Sequence, residues 1–152
     1  MSSLCYCETR SKLIHDSFTA ETQDHEDHTF CGMVFDVKVN GLSDVPVESF
    51  ILDELWVRGG LGPIKIYWTE DTWRGNHTDP DKWKLIYEKT HAESYEELIR
   101  MPFNEPIVLS VGSSVGLYVH SSAHNDRSIV YDNQRGNGLH QDNFITVLPG
   151  QL

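Results

Sequence analysis

From Phe30 onward the chain alternates apolar and polar residues with a period of two, and glycine, proline, asparagine and aspartate interrupt it at short intervals. Successive side chains of a strand point to opposite faces, so this period describes sheets with one face buried. Met33, Phe35, Val37 and Val39 alternate with Val34, Asp36, Lys38 and Asn40. Gly41 to Pro46 reads as a turn. Val47 to Val57 is apolar on both sides, with Phe50, Leu52 and Trp56 in one row and Ile51, Leu55 and Val57 in the other, which predicts a strand buried on both faces. Ile64, Ile66 and Trp68 form a further strand, and Trp83, Leu85 and Tyr87 another. Later strands are expected through Ile107 to Val111, Val115 to Val119, Ile129 to Tyr131 and Asn143 to Leu148. His91 to Arg100, with Glu93, Glu96, Glu97 and Leu98, reads as a short helix. About eight strands with close turn signals and one short helix predict an all-β fold, an antiparallel sandwich of jelly-roll type. An up-and-down barrel with a ligand cavity is the competing all-β architecture. Alternating helices are absent from the pattern, which excludes a parallel α/β sheet.

Size and charge narrow the function classes. The 152 residues make one domain, expected from residue 30 to 152, preceded by an arm over residues 1–29 that is either loosely ordered or added along a sheet edge. With 23 acidic against 12 basic residues the net charge is −11. Phosphate backbones and anionic membranes require lysine and arginine, so neither nucleic acid nor membrane is expected as a partner. The N-terminal sequence lacks the basic start and apolar run of a signal peptide, so a cytoplasmic location is expected. Cys5, Cys7 and Cys31 are an odd set and read as reduced thiols.

Several runs carry a resemblance. Gly32 to Val37, Val57 to Thr69, Pro106 to Leu109, Gly116 to Ser121, Ile129 to Asn133 and Ile145 to Gly150 resemble a group of uncharacterised proteins from algae, oomycetes and other microbial eukaryotes. The likeness covers roughly Phe30 to Gln151 and implies a β-sandwich. Members of that group continue past Leu-Pro-Gly with a tail rich in glycine and tryptophan, whereas this sequence stops at Leu152. A sparser likeness, in strand spacing and in Pro106-Ile107-Val108-Leu109 and Gly116-Leu117-Tyr118-Val119, is to the PHR domain of Highwire-type ubiquitin ligases. That domain is a β-sandwich that binds other proteins, and the resemblance implies a binding role here.

The candidate sites follow from residue chemistry. Trp73 lies in a polar loop beside Arg74 and His77, where an exposed indole would serve as a contact anchor; the alternative is a lid that merely covers the sandwich edge. Arg127, Asp132 and Arg135 surround a short strand and its exit turn, and are candidates for a charged recognition surface. Asp-Asn followed by Gln-Arg-Gly is equally a capped turn. His25, His28 and Cys31, with Cys5 and Cys7 upstream, offer zinc-type ligands outside any zinc-finger spacing. Calcium, the one ion weighed as a cofactor, would need carboxylates such as Asp71, Asp79 and Asp81, or Asp126, Asp132 and Asp142; no cofactor is otherwise expected. His120, Ser121, Ser122, His124 and Asp126 lie close in sequence, but neighbours on a strand face opposite ways, and no nucleophile elbow is present. Arg58 to Gly62 is glycine-rich yet runs into Pro63 and a strand, so it reads as a turn requiring positive φ and not as a phosphate loop. The expectation is a non-catalytic module that contacts another protein through loops at one end of the sandwich. A carbohydrate- or Ca²⁺-dependent ligand module is the alternative, and a hydrolase the third reading.

Overall fold

The structure, a computed structural model, describes residues 14–41, 44, 46–123, 125–133 and 140–152. The alternating segments become β1 (His28–Phe30), β2 (Gly32–Val39), β3 (Phe50–Gly59), β4 (Gly62–Glu70), β5 (Lys84–His91), β6 (Ser94–Leu109), β7 (Ser114–Ser121), β8 (Ile129–Tyr131), β9 (His140–Gln141) and β10 (Ile145–Val147). β5, β4, β7, β2, β10 and β9 pair in that order as a six-stranded sheet, and every pairing is antiparallel. β3 and β6 form an antiparallel ribbon, and β1 pairs with β8. The amides of Gly60 and Leu61 donate to the carbonyls of Arg127 and Ser128, which ties the end of β3 to the start of β8. The ribbon and the short pair together form the second layer.

One face of the large sheet supplies Val37, Val39, Ile64, Ile66, Val115, Leu117, Val119, Ile145 and Val147 to the core. Met101, Ile107, Leu109 and Ile129 meet them from the second layer. This is the expected antiparallel β-sandwich. The chain passes between layers after β1, β2, β3, β5, β6, β7 and β8, which is its jelly-roll character. Beyond β10 the chain keeps pairing with β2, through Leu148 N–H to the Asp36 carbonyl and a reciprocal pair between Val34 and Gln151. Among the described residues no helix is long and apolar enough to cross a membrane.

Two expectations need correction. Residues 91–100 are not helical, because β6 runs unbroken from Ser94 to Leu109 with Ile99 opposite Val57 and Arg100 opposite Trp56. A lone helix of that length is marginal without tertiary support, whereas the strand has a partner along its length. Pro102 and Pro106 lie inside β6 because it has only β3 as a ladder partner, and an edge strand tolerates missing donors. The sole helical element among the described residues is a 3-10 turn at Pro80–Lys82. The second correction concerns β3, which is buried on one face only: Ile51 and Trp56 are exposed. The positive-φ reading of the glycine-rich turn holds, with φ of 139° at Gly59, 43° at Leu61 and 74° at Gly62.

Candidate functional site

The structure gives the Trp73 loop a different character from the one predicted. Trp73 is 4% exposed and therefore buried. The loop folds back on the outer side of the large sheet, where Asp36 points away from the core. Asp36 accepts a hydrogen bond from Thr72 Oγ1 at 2.6 Å and another from Trp73 N–H at 2.9 Å. Gly116 admits this approach, since a Cβ there would lie 2.6 Å from Trp73 N. The Arg74 guanidinium covers the indole at 4.8 Å, and His77 meets it edge-on at 6.0 Å. Arg74 and His77 are exposed, but Trp73 itself presents no open face for a sugar or a partner to stack on. The expected exposed anchor is thus corrected: a polar loop sequence concealed an indole that a distant carboxyl pins down. Its Nε1 has no hydrogen-bond partner in the described structure.

The other sequence candidates separate. Arg127 is exposed, and only its carbonyl is engaged, by Gly60 N–H. Asp132 accepts the backbone amides of His25 at 2.9 Å and Glu26 at 2.8 Å, so it fastens the N-terminal arm. Arg135 and His124 lie outside the described residues, as do Cys5 and Cys7. Among the described residues no three His, Cys, Asp or Glu side chains gather as a metal site. Asp79 instead caps the 3-10 turn through Asp81 N–H, and Asp142 accepts from the amides of Phe144 and Ile145. His28 Nε2 lies 3.3 Å from Glu26, and Cys31 is a half-buried thiol. Ser121 is buried and donates to the Leu61 carbonyl, while His120, on the opposite face of β7, packs its ring 5.5 Å from that of Tyr118. A Ser121–His120 catalytic pair is therefore not assembled. An open groove of about 450 Å³ beside the loop is lined by Trp68, Asp71, Asn76, Asp81, Lys82 and Lys84, with cations and carboxylates interleaved.

The arrangement that does converge lies on the outer face of the β3–β6 ribbon. Glu54, Trp56 and Arg58 follow one another on that face of β3. Trp56 is 46% exposed, and its cross-strand partner is Arg100. Glu54 joins the two: it accepts from Trp56 Nε1 at 2.8 Å and from Arg100 Nε at 2.5 Å. The indole hydrogen bond, followed by that from Arg100, holds the Glu54 carboxyl below its ordinary range. An exposed tryptophan is thus fixed in orientation before anything binds it. Ile51 and Val108 lie directly opposite each other on the same face, 51% and 63% exposed, and Leu98 adds a further exposed side chain. The sequence reading placed Trp56 in the core. The clue was Asp53-Glu54, which interrupts an otherwise apolar run and marks a wet face.

Arg58 ends this row and is covered by the arm. Asp24 grips its Nε and one terminal amine at 3.0 and 2.5 Å, Asp27 takes the same amine at 2.8 Å, and the Tyr95 carbonyl takes the other at 2.7 Å. The hydrogen bonds that Arg58 donates to Asp24 lower the Asp24 pKa and raise that of Arg58. No protein-family model matches the chain, and no curated protein matches it.

Proposed function

We propose that this chain is a non-catalytic protein-interaction module whose contact surface is the outer face of the β3–β6 ribbon. The observation that carries the reading is Trp56, half exposed yet held by Glu54, whose other oxygen Arg100 anchors. Tryptophan and arginine dominate interface hot spots, and a side chain already ordered loses less entropy on binding. Ile51, Val108 and Leu98 supply apolar area around it. The occupant we assign is a protein segment carrying both basic and apolar residues. On this face Asp53, Glu54 and Glu96, together with Asp24 and Asp27 of the arm, outnumber Arg58 and Arg100, in a molecule of net charge −11. A lysine or arginine from the partner gains from that field and from the open indole face. Binding by strand addition at β6 is disfavoured, since Pro102 and Pro106 remove donors from its edge.

The test is a selection from a displayed random-peptide library, read against two variants. Peptides rich in Lys or Arg and apolar residues are expected from the unaltered chain. Trp56→Ala should weaken them by roughly 30-fold, the effect of a hot spot of about 2 kcal/mol. Trp73→Phe should leave them bound. Peptides that bind the Trp56→Ala chain equally well, or that are acidic, would refute the assignment.

A further inference from the structure

We propose that the arm, residues 18–30, is a donor segment that two copies of this chain exchange. The arm lies along one strip of the body, and each group on it has a matching group there. The Phe18 ring rests 6.0 Å from Phe50 and 5.6 Å from Phe144. The Glu21 carbonyl meets His140 Nδ1 at 3.0 Å. Asp24 and Asp27 take Arg58, Asp132 takes the amides of His25 and Glu26, and the Glu26 carboxylate takes the amide of Asn133 at 2.9 Å. The strip ends in the β8 edge, on which β1 pairs residue by residue from His28↔Tyr131 to Phe30↔Ile129.

Three features make this strip an acceptor site and not a mere resting place. Its chemistry is specific: a guanidinium fork, a carboxylate aimed at two backbone amides, and a strand edge are the elements by which proteins recognise an extended acidic segment. Arg58 is also the most enclosed of the ion-paired Lys and Arg side chains in the described structure, 14% exposed against 39%, 58% and 59% for Lys65, Lys84 and Arg100. With the arm in place the guanidinium is thus enclosed, while the arm's own carboxylates stay largely in water, 48% exposed for Asp24 and 84% for Asp27. Finally, Cys31 alone separates β1, in one layer, from β2, in the other. Rotation about that single residue redirects the arm without disturbing β2. An acceptor that holds its own arm holds the identical arm of a second copy by the same contacts, so mutual exchange sacrifices none of them and closes a two-fold dimer. Concentration then decides between the two forms.

A charge-exchanged pair tests this. In Arg58→Asp the acceptor repels its own arm, and in Asp24→Arg/Asp27→Arg the arm repels its own acceptor. Each chain alone is expected to sediment at the single-chain mass, 17.4 kDa for the unaltered sequence. Mixed in equal amounts, every arm finds its complement only on the other chain, and the expected mass doubles. A mixture that stays at the single-chain mass, with both variants melting cooperatively, overturns the proposal. Should either variant fail to melt cooperatively, isotopically light and heavy unaltered chains decide instead. Concentrated together and read by native mass spectrometry, they should give a mixed dimer that grows with concentration. Single chains at every concentration overturn the proposal.

Discussion

Glu54 and Asp36 are two carboxyl groups that place two tryptophans in opposite circumstances. Glu54 holds Trp56 out in the solvent, and Asp36 draws the Trp73 loop down onto the sheet. The contrast can be read by fluorescence. Acrylamide reaches an exposed indole and not a buried one, so Trp56→Phe should remove the most quenchable part of the emission. Trp73→Phe should leave that part unchanged. The reverse pattern would mean that the burial of the two indoles is wrongly assigned. Asp36 is 6% exposed, and its loss leaves the Trp73 amide buried without an acceptor. Asp36→Ala should therefore cost about 2 kcal/mol, the usual penalty for such an orphaned group. A urea midpoint unchanged from that of the unaltered chain would show that the loop is not fastened there.

Where β3 passes β8, a side chain has no room. Gly59 has a φ of 139°, and a Cβ on it would collide with the Ser128 carbonyl. Gly75 also has a positive φ, 80°, but nothing lies within 4 Å of the position its Cβ would take. Gly59→Ala should thus combine backbone strain with overpacking and cost roughly 3 kcal/mol or more. Gly75→Ala should show strain alone, about 1 kcal/mol. Equal shifts in thermal midpoint would remove the collision as the cause. The same elements show what sequence can reveal. β2, β4 and β7 were legible because each has one buried row and one polar row, which is what a period of two encodes. β6 was misread because Glu93, Glu96, Glu97 and Leu98 have helical spacing, and only pairing with β3 settles the matter. Trp56 was misread because local apolarity cannot say which side of a two-stranded ribbon faces water. The burial of Trp73 and the fastening of the arm escape local pattern for a shared reason. Their partners, Asp36 for the first and Arg58 and Asp132 for the second, lie 31 to 107 residues away in sequence.

Acid should weaken this fold in two stages, because two kinds of group have depressed pKa values. Burial pushes the imidazoles of His91 and His120 below their ordinary value, with Lys89 and Lys65 adding repulsion. Tyr87 Oη lies 2.7 Å from His91 Nε2, within hydrogen-bond distance of the ring. Such a histidine binds its proton more readily in the unfolded chain, whose imidazoles titrate near about 6.5. Its contribution is therefore complete above that pH and is lost as pH falls toward the folded-state values. The carboxylates act lower. Asp24 is depressed by its hydrogen bond to Arg58, and Glu54 by those from Trp56 and Arg100. Their contribution is present above the unfolded value, near about 4, and disappears as pH falls through the folded ones. The urea midpoint should hence begin to fall below about pH 6.5 and steepen again below about pH 4. The variant His91→Gln/His120→Gln should lack the upper stage and keep the lower. Gln can still hydrogen-bond Tyr87 as donor or acceptor, so the loss would report titration and not a missing bond. An upper stage that survives in this variant would mean the two half-buried imidazoles do not set it.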